Sequence, residues 1–90
     1  MKWCVVVSYN FDLDFHVYAC KTKEEAEKLF REIYDKTIET EMRESACGLD
    51  MDKTNIDEGF GYAVITWNNG DDGSWHQDRM EINMVQEEKY

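Results

Sequence analysis

Between Thr22 and Met42, apolar residues return every three or four positions: Ala26, Leu29, Phe30, Ile33, Tyr34, Ile38 and Met42. A helix with that spacing carries one apolar stripe, and a lone stripe has to be buried against something. Thr22 and Glu25 stand at the spacing of a capping box and fix the start. The end is expected between Arg43 and Gly48, where the glycine suits a left-handed cap. On the opposite side lie Glu24/Lys28, Glu27/Arg31, Glu32/Lys36 and Glu39/Arg43, each acid four residues before its base, the favourable order. Such a face is solvated. The rest of the chain reads as strands, so the stripe is expected to lie on a sheet.

Four strands are expected, in the order ββαββ. The first covers about 2–9 and is nearly continuous in apolar residues, which suits a central place. The second covers 15–20, after a polar connection at 10–14. Pairing Val7 with Val17, Val5 with Ala19 and Tyr9 with Phe15 keeps apolar residues together, whereas a slip of one residue sets Val7 against His16. The first register is therefore preferred, and it places Cys4 opposite Cys20. After a polar, acidic connection at 49–59, a third strand is expected at 60–67 and a fourth at about 77–85. Two turn signals separate them, Asn69-Gly70 and Asp72-Gly73. Only the second pairs Ile65 with Met80 and Ala63 with Ile82. The expected fold is thus α+β, a four-stranded antiparallel sheet with one long amphipathic helix packed on one face. The helix would cover Val5, Val7, Phe15, Val17, Ala63, Ile65, Met80 and Ile82. The uncovered face would show Val6, His16, Tyr18, Tyr62, Val64 and Thr66, either an ordinary solvated surface or a contact with another chain.

Ninety residues, 42% hydrophobic and without proline, suit one globular domain spanning 1–90. No apolar run nears the ~18 residues of a membrane span. The start lacks a secretory cleavage pattern. Three cysteines, Cys4, Cys20 and Cys47, are an odd set without a C-x-x-C, which favours reduced thiols and a cytoplasmic location. The net charge is −10, which argues against nucleic acid or an anionic membrane as a direct partner.

Motifs for chemistry fail on spacing. His16 and Cys20 are ~13 Å apart along a strand, too far to share a zinc ion easily. Asp50 and Asp52 open like a calcium loop, but Asn55 stands where glycine is required and Gly61 where a glutamate is required. Any calcium binding there would be weak and nonspecific. No cysteine sits at a helix N-terminus or beside positive charge, as a nucleophilic thiol needs. Gly59-Phe60-Gly61 precedes a strand and lacks the third glycine of a dinucleotide loop. The expectation is a protein that is not an enzyme and uses no cofactor or metal.

Lys2-Trp3-Cys4-Val5-Val6-Val7-Ser8-Tyr9-Asn10-Phe11-Asp12, then Val17-Tyr18, Glu24-Glu25-Ala26 and Tyr62-Ala63-Val64-Ile65-Thr66-Trp67, resemble short acidic proteins of Gram-positive bacteria and their phages and prophages. The resemblance covers most of the chain in order and transfers no residue role. It implies a habitat in which small proteins are often inhibitors that act by binding, anti-CRISPR proteins among them.

Charge is unevenly spread. Residues 1–43 hold nine acids and seven bases, whereas 44–88 hold eleven acids with only Lys53 and Arg79. The candidate binding residues are therefore Asp50, Asp52, Asp57, Glu58, Asp71, Asp72, Asp78 and Glu81, with Trp67 and Trp75 as apolar anchors. The expected partner is a basic, nucleic-acid-binding protein whose groove an acidic surface would occupy as a nucleic-acid mimic. The bland alternative is a soluble acidic surface. A third reading is a small interaction domain that self-associates through its open sheet face, with no inhibitory role.

Overall fold

A computed structural model describes residues 2–10, 13–44, 48–69 and 76–86. Its elements are β1 (Trp3–Tyr9), β2 (Phe15–Cys20), α1 (Lys23–Glu44), β3 (Gly48–Leu49), a 3₁₀ turn (Met51–Lys53), β4 (Asn55–Asp57), β5 (Tyr62–Asn69) and β6 (His76–Gln86). The class is α+β, with α1 on one face of an antiparallel sheet. That sheet has six strands, not four, in the order β2-β1-β6-β5-β3, with β4 also pairing β5. The two extra strands come from the polar stretch expected to be a plain connection. They are short and mostly polar, two and three residues, so no hydrophobic alternation announces them.

The helix begins as its capping residues dictate. The Glu25 amide donates to Thr22 Oγ1 at 3.1 Å. Glu25 Oε2 accepts from the Lys21 amide at 3.0 Å, one residue earlier than in the reciprocal box. Ala26 and Phe30 are buried, and Leu29, Ile33, Tyr34 and Ile38 pack against the core. Lys23 Nζ lies 5.6 Å from the centre of the Trp3 ring, fastening the first turn to β1. Of the expected surface pairs, Glu32–Lys36 forms at 3.8 Å. Glu27 pairs with Lys23 instead of Arg31. The side chains of Met42 and Arg43 lie outside the described residues.

In the β5–β6 hairpin, Ile65 opposes Met80 and Ala63 opposes Ile82, the register that the hydrophobic pattern predicts. The turn itself, 70–75, lies outside the described residues. β6 then inserts beside β1, setting Val7 against Ile82 and Val5 against Met84. β1 is accordingly paired on both sides. Val5, Val7, Ala63, Ile65, Met80 and Ile82 form the core beneath α1 with Cys20.

The β1–β2 register differs from expectation by one residue. Val7 faces His16, Val6 faces Val17, and Cys20 faces Trp3 instead of Cys4. Directly opposed residues share a face. Phe15 and Val17 therefore lie on the open face, 63% and 53% exposed, and His16 and Tyr18 lie on the helix side. The reason is the position of β2 at the sheet edge. Only Cys20 of its six residues is buried. With so little burial at stake, turning Phe15 and Val17 inward gains little there, and the inward-facing Cys20, three residues before α1 begins, decides the face. Cys4 and Cys20 point to opposite faces and both are free thiols.

Candidate functional site

Strand order gives the sheet two unlike edges. One is built by residues 48–61, the outer partners of β5. Here the ladder is interrupted, because the 3₁₀ turn replaces continuous pairing between β3 and β4. Thr66 bridges the gap. Its amide donates to Thr54 Oγ1 at 3.0 Å, and its own hydroxyl donates to the Lys53 carbonyl at 2.8 Å. This segment carries Asp50, Asp52, Asp57 and Glu58 with Lys53 as its one base.

Several of these acids have work inside the fold. Asp50 Oδ1 accepts from the Asp52 amide at 3.2 Å and Oδ2 from Asn68 Nδ2 at 3.2 Å. Asp57 Oδ1 accepts from the Phe60 amide at 3.1 Å, holding the turn into β5. Glu58 takes Arg31 Nη1 at 2.7 Å. Arg31 also reaches Asp35 at 3.1 Å, and the two acceptors hold its guanidinium above its ordinary pKa. The Arg31–Glu58 pair spans an open cleft of about 580 Å³ between α1 and the β4–β5 turn, with Phe30 and Met84 in its lining.

The remaining candidates are dispersed. Asp78 and Glu81 lie on β6 but on opposite faces, since Asp78 opposes Trp67 and Glu81 opposes Val64. Glu81 accepts from the Tyr62 hydroxyl at 3.3 Å and meets Arg79 at 3.5 Å. Burial and the nearby Glu81 carboxylate raise the Tyr62 pKa. Trp67 is half-buried and packs against the core, so it is a structural side chain first. Asp71, Asp72 and Trp75 lie outside the described residues. Sequence reasoning passed over Phe60, 86% exposed, and Met51, 50% exposed, which stand among the edge acids. The flanking glycines of Gly59-Phe60-Gly61 were the available signal, since they mark a turn tip instead of a strand start.

The other edge is β2. Its sequence, Phe-His-Val-Tyr-Ala-Cys, holds no charged residue, and five of the six are exposed. Along the open face beside it run Val6, Cys4 and the 43%-exposed Val85. On the helix side, His16 stacks with Tyr18 and meets Tyr9 edge-on, each at 6.4 Å between ring centres.

Burial, Glu25 and Cys4 together raise the Cys20 pKa, the wrong direction for a nucleophile. Among the described residues no group of three or more His, Cys, Asp or Glu is placed to hold a metal ion. Nor is any helix among them long and apolar enough to cross a membrane. No family model matches the chain, and neither the curated proteins nor the solved structures give a match.

Proposed function

We propose that this protein acts by binding, through the acidic edge at 48–61, to a basic protein whose own ligand is nucleic acid. The observation that carries the reading is the gathering of Asp50, Asp52, Asp57 and Glu58 on one sheet edge with exposed Phe60 and Met51 among them. Carboxylates in a row meet the lysines and arginines of a phosphate-binding groove, and a rim of charge around an apolar anchor is the usual anatomy of a protein interface. Phe60 and Met51 take the anchoring role that the sequence suggested for Trp67. Asp71, Asp72 and Trp75 keep in this reading the binding role expected of them from the sequence, and Asp78 and Glu81 add carboxylates on the two faces of β6. An inhibitor carried by a phage or prophage is the biological setting that fits.

The test is competition. A basic partner should be captured less well as salt rises, and duplex DNA should displace this protein from it. Reversing Asp52, Asp71 and Asp72 to lysine should abolish capture. Asp50 is left intact because it holds the 3₁₀ turn. Binding that ignores salt, survives the reversals and coexists with bound DNA would overturn the proposal.

A further inference from the structure

The two edges differ in a way that points to a second copy of this chain. Exposed edge strands in monomers are blunted by charge, proline, bulges or brevity. The 48–61 edge is blunted in this manner, being short, interrupted and acidic. β2 has six regular residues, no charge and no proline, and among the described residues no strand covers its outer side. We propose that β2 is a dimerisation edge, pairing antiparallel with β2 of a second copy about a two-fold axis at Val17.

Symmetry restricts the register. A two-fold axis perpendicular to the sheet keeps both helices on one face, so each residue must oppose one of its own parity. Centring on Val17 sets Val17 against itself and Phe15 against Ala19 on the open face, a large side chain against a small one. On the helix face it sets His16 against Tyr18, extending the ring contacts already made within one copy. Centring one residue later would put Phe15 against Lys21. The Val17-centred ladder sets Asp14 of one copy against Cys20 of the other and keeps like charges from opposing one another along its length.

Charge does not forbid this union. The acidic edges sit at the far sides of the joined sheet, roughly 40 Å apart at ~4.8 Å per strand. That exceeds the Debye length of about 8 Å at physiological salt several times over. Joining the open faces also makes Phe15, Val17, Val6 and Val85 continuous with their copies. The contact consumes the edge it uses, and the blunted edge cannot add another copy, so association stops at two.

Light scattering from micromolar to near-millimolar concentration tests the proposal. The wild type should approach twice the 10.7 kDa chain mass. Val17→Lys brings two ammonium groups together at the axis and should weaken association by roughly a hundredfold while leaving the circular dichroism unchanged. Val85→Lys alters the same face two strands inward and should leave the dimer intact. A wild type that stays monomeric, a Val17→Lys dimer, or a dimer that Val85→Lys also breaks would each overturn edge pairing, the last in favour of stacked faces. Failure of the acidic-edge proposal would leave these outcomes unchanged, because the 48–61 edge lies across the sheet from β2.

Discussion

The Thr66 amide donates to Thr54 Oγ1 at 3.0 Å, a side chain standing in for the strand carbonyl that the interrupted edge does not supply. Thr54 passes the bond on, its hydroxyl donating to the Asp50 carbonyl at 2.8 Å. Both threonines are buried, 7% and 3% exposed. A buried donor stripped of its acceptor costs about 1–3 kcal/mol. Thr54→Val keeps the shape and removes the hydroxyl, and it should lower stability by about that much. Thr54→Ser keeps the oxygen and should lose less. Urea unfolding with an unchanged slope is the measurement, and a valine variant as stable as wild type would contradict the assignment.

Gly61 is the second fragile point. Its φ is +65°, and a Cβ there would meet Met84 Cβ at 2.9 Å. The close approach exists because the Met84 amide donates to the Gly61 carbonyl at 2.7 Å, clamping the start of β5 onto β6. Gly61→Ala should therefore cost about 1–3 kcal/mol from backbone strain, with the clash added. Gly59→Ala, which meets only Asp57 Oδ1 at 3.4 Å, should be tolerated far better. Equal thermal midpoints for the two variants would refute this distinction.

Legibility followed burial. The β5–β6 register could be read because both strands bury alternate residues beneath α1, and a slip of β6 by one residue would have turned Met80 and Ile82 out while Ile65 stayed in. The helix was readable for the same reason. β2 was not, since an exposed edge strand leaves the apolar pattern free to point either way, and Phe15 and Val17 point out. β3 and β4 left no pattern because side-chain and turn hydrogen bonds define that edge. As for the candidate site, clustering of the 50–58 acids was legible from their proximity in sequence. That Asp50, Asp57, Glu58 and Glu81 each serve a partner within the fold was not, for those partners are a turn amide, Asn68, Arg31 and Tyr62.

Alkaline pH should weaken the fold in two stages. Burial raises the pKa of Cys20, and burial with Glu81 raises that of Tyr62. Each group stays protonated in the folded chain at a pH where the unfolded chain has begun to ionise. The unfolded state then binds fewer protons, so stability falls as pH rises. The contribution is complete below the ordinary thiol and phenol values and is lost as pH climbs through them toward the raised folded values. Tyr62→Phe should flatten the upper stage and leave the lower one. Chemical denaturation at stepped alkaline pH would show it, and stability rising with pH over that range would reverse the sign and defeat the argument.

Asp50 and Asp52 are two residues apart and should behave oppositely. Asp50 caps the 3₁₀ turn through Oδ1, steadies Asn68 through Oδ2, and donates its own amide to the Thr66 carbonyl at 2.8 Å. Removing the carboxylate in Asp50→Ala strips a turn amide and a side-chain amide of their acceptor, a loss of about 0.5–2 kcal/mol by analogy with helix caps. Asp52 is exposed and contributes its backbone to that cap. Asp52→Lys adds a base to a crowded acidic edge and should leave stability within about 0.5 kcal/mol of wild type. Partner binding should respond in the other order, falling sharply for Asp52→Lys as contact charge is reversed. Asp50→Ala should bind nearly normally at temperatures where it remains folded. Measuring unfolding and partner affinity on the same two proteins separates the acid that builds the edge from the acid that presents it. If Asp52→Lys unfolds as readily as Asp50→Ala, the division of labour between them is wrong.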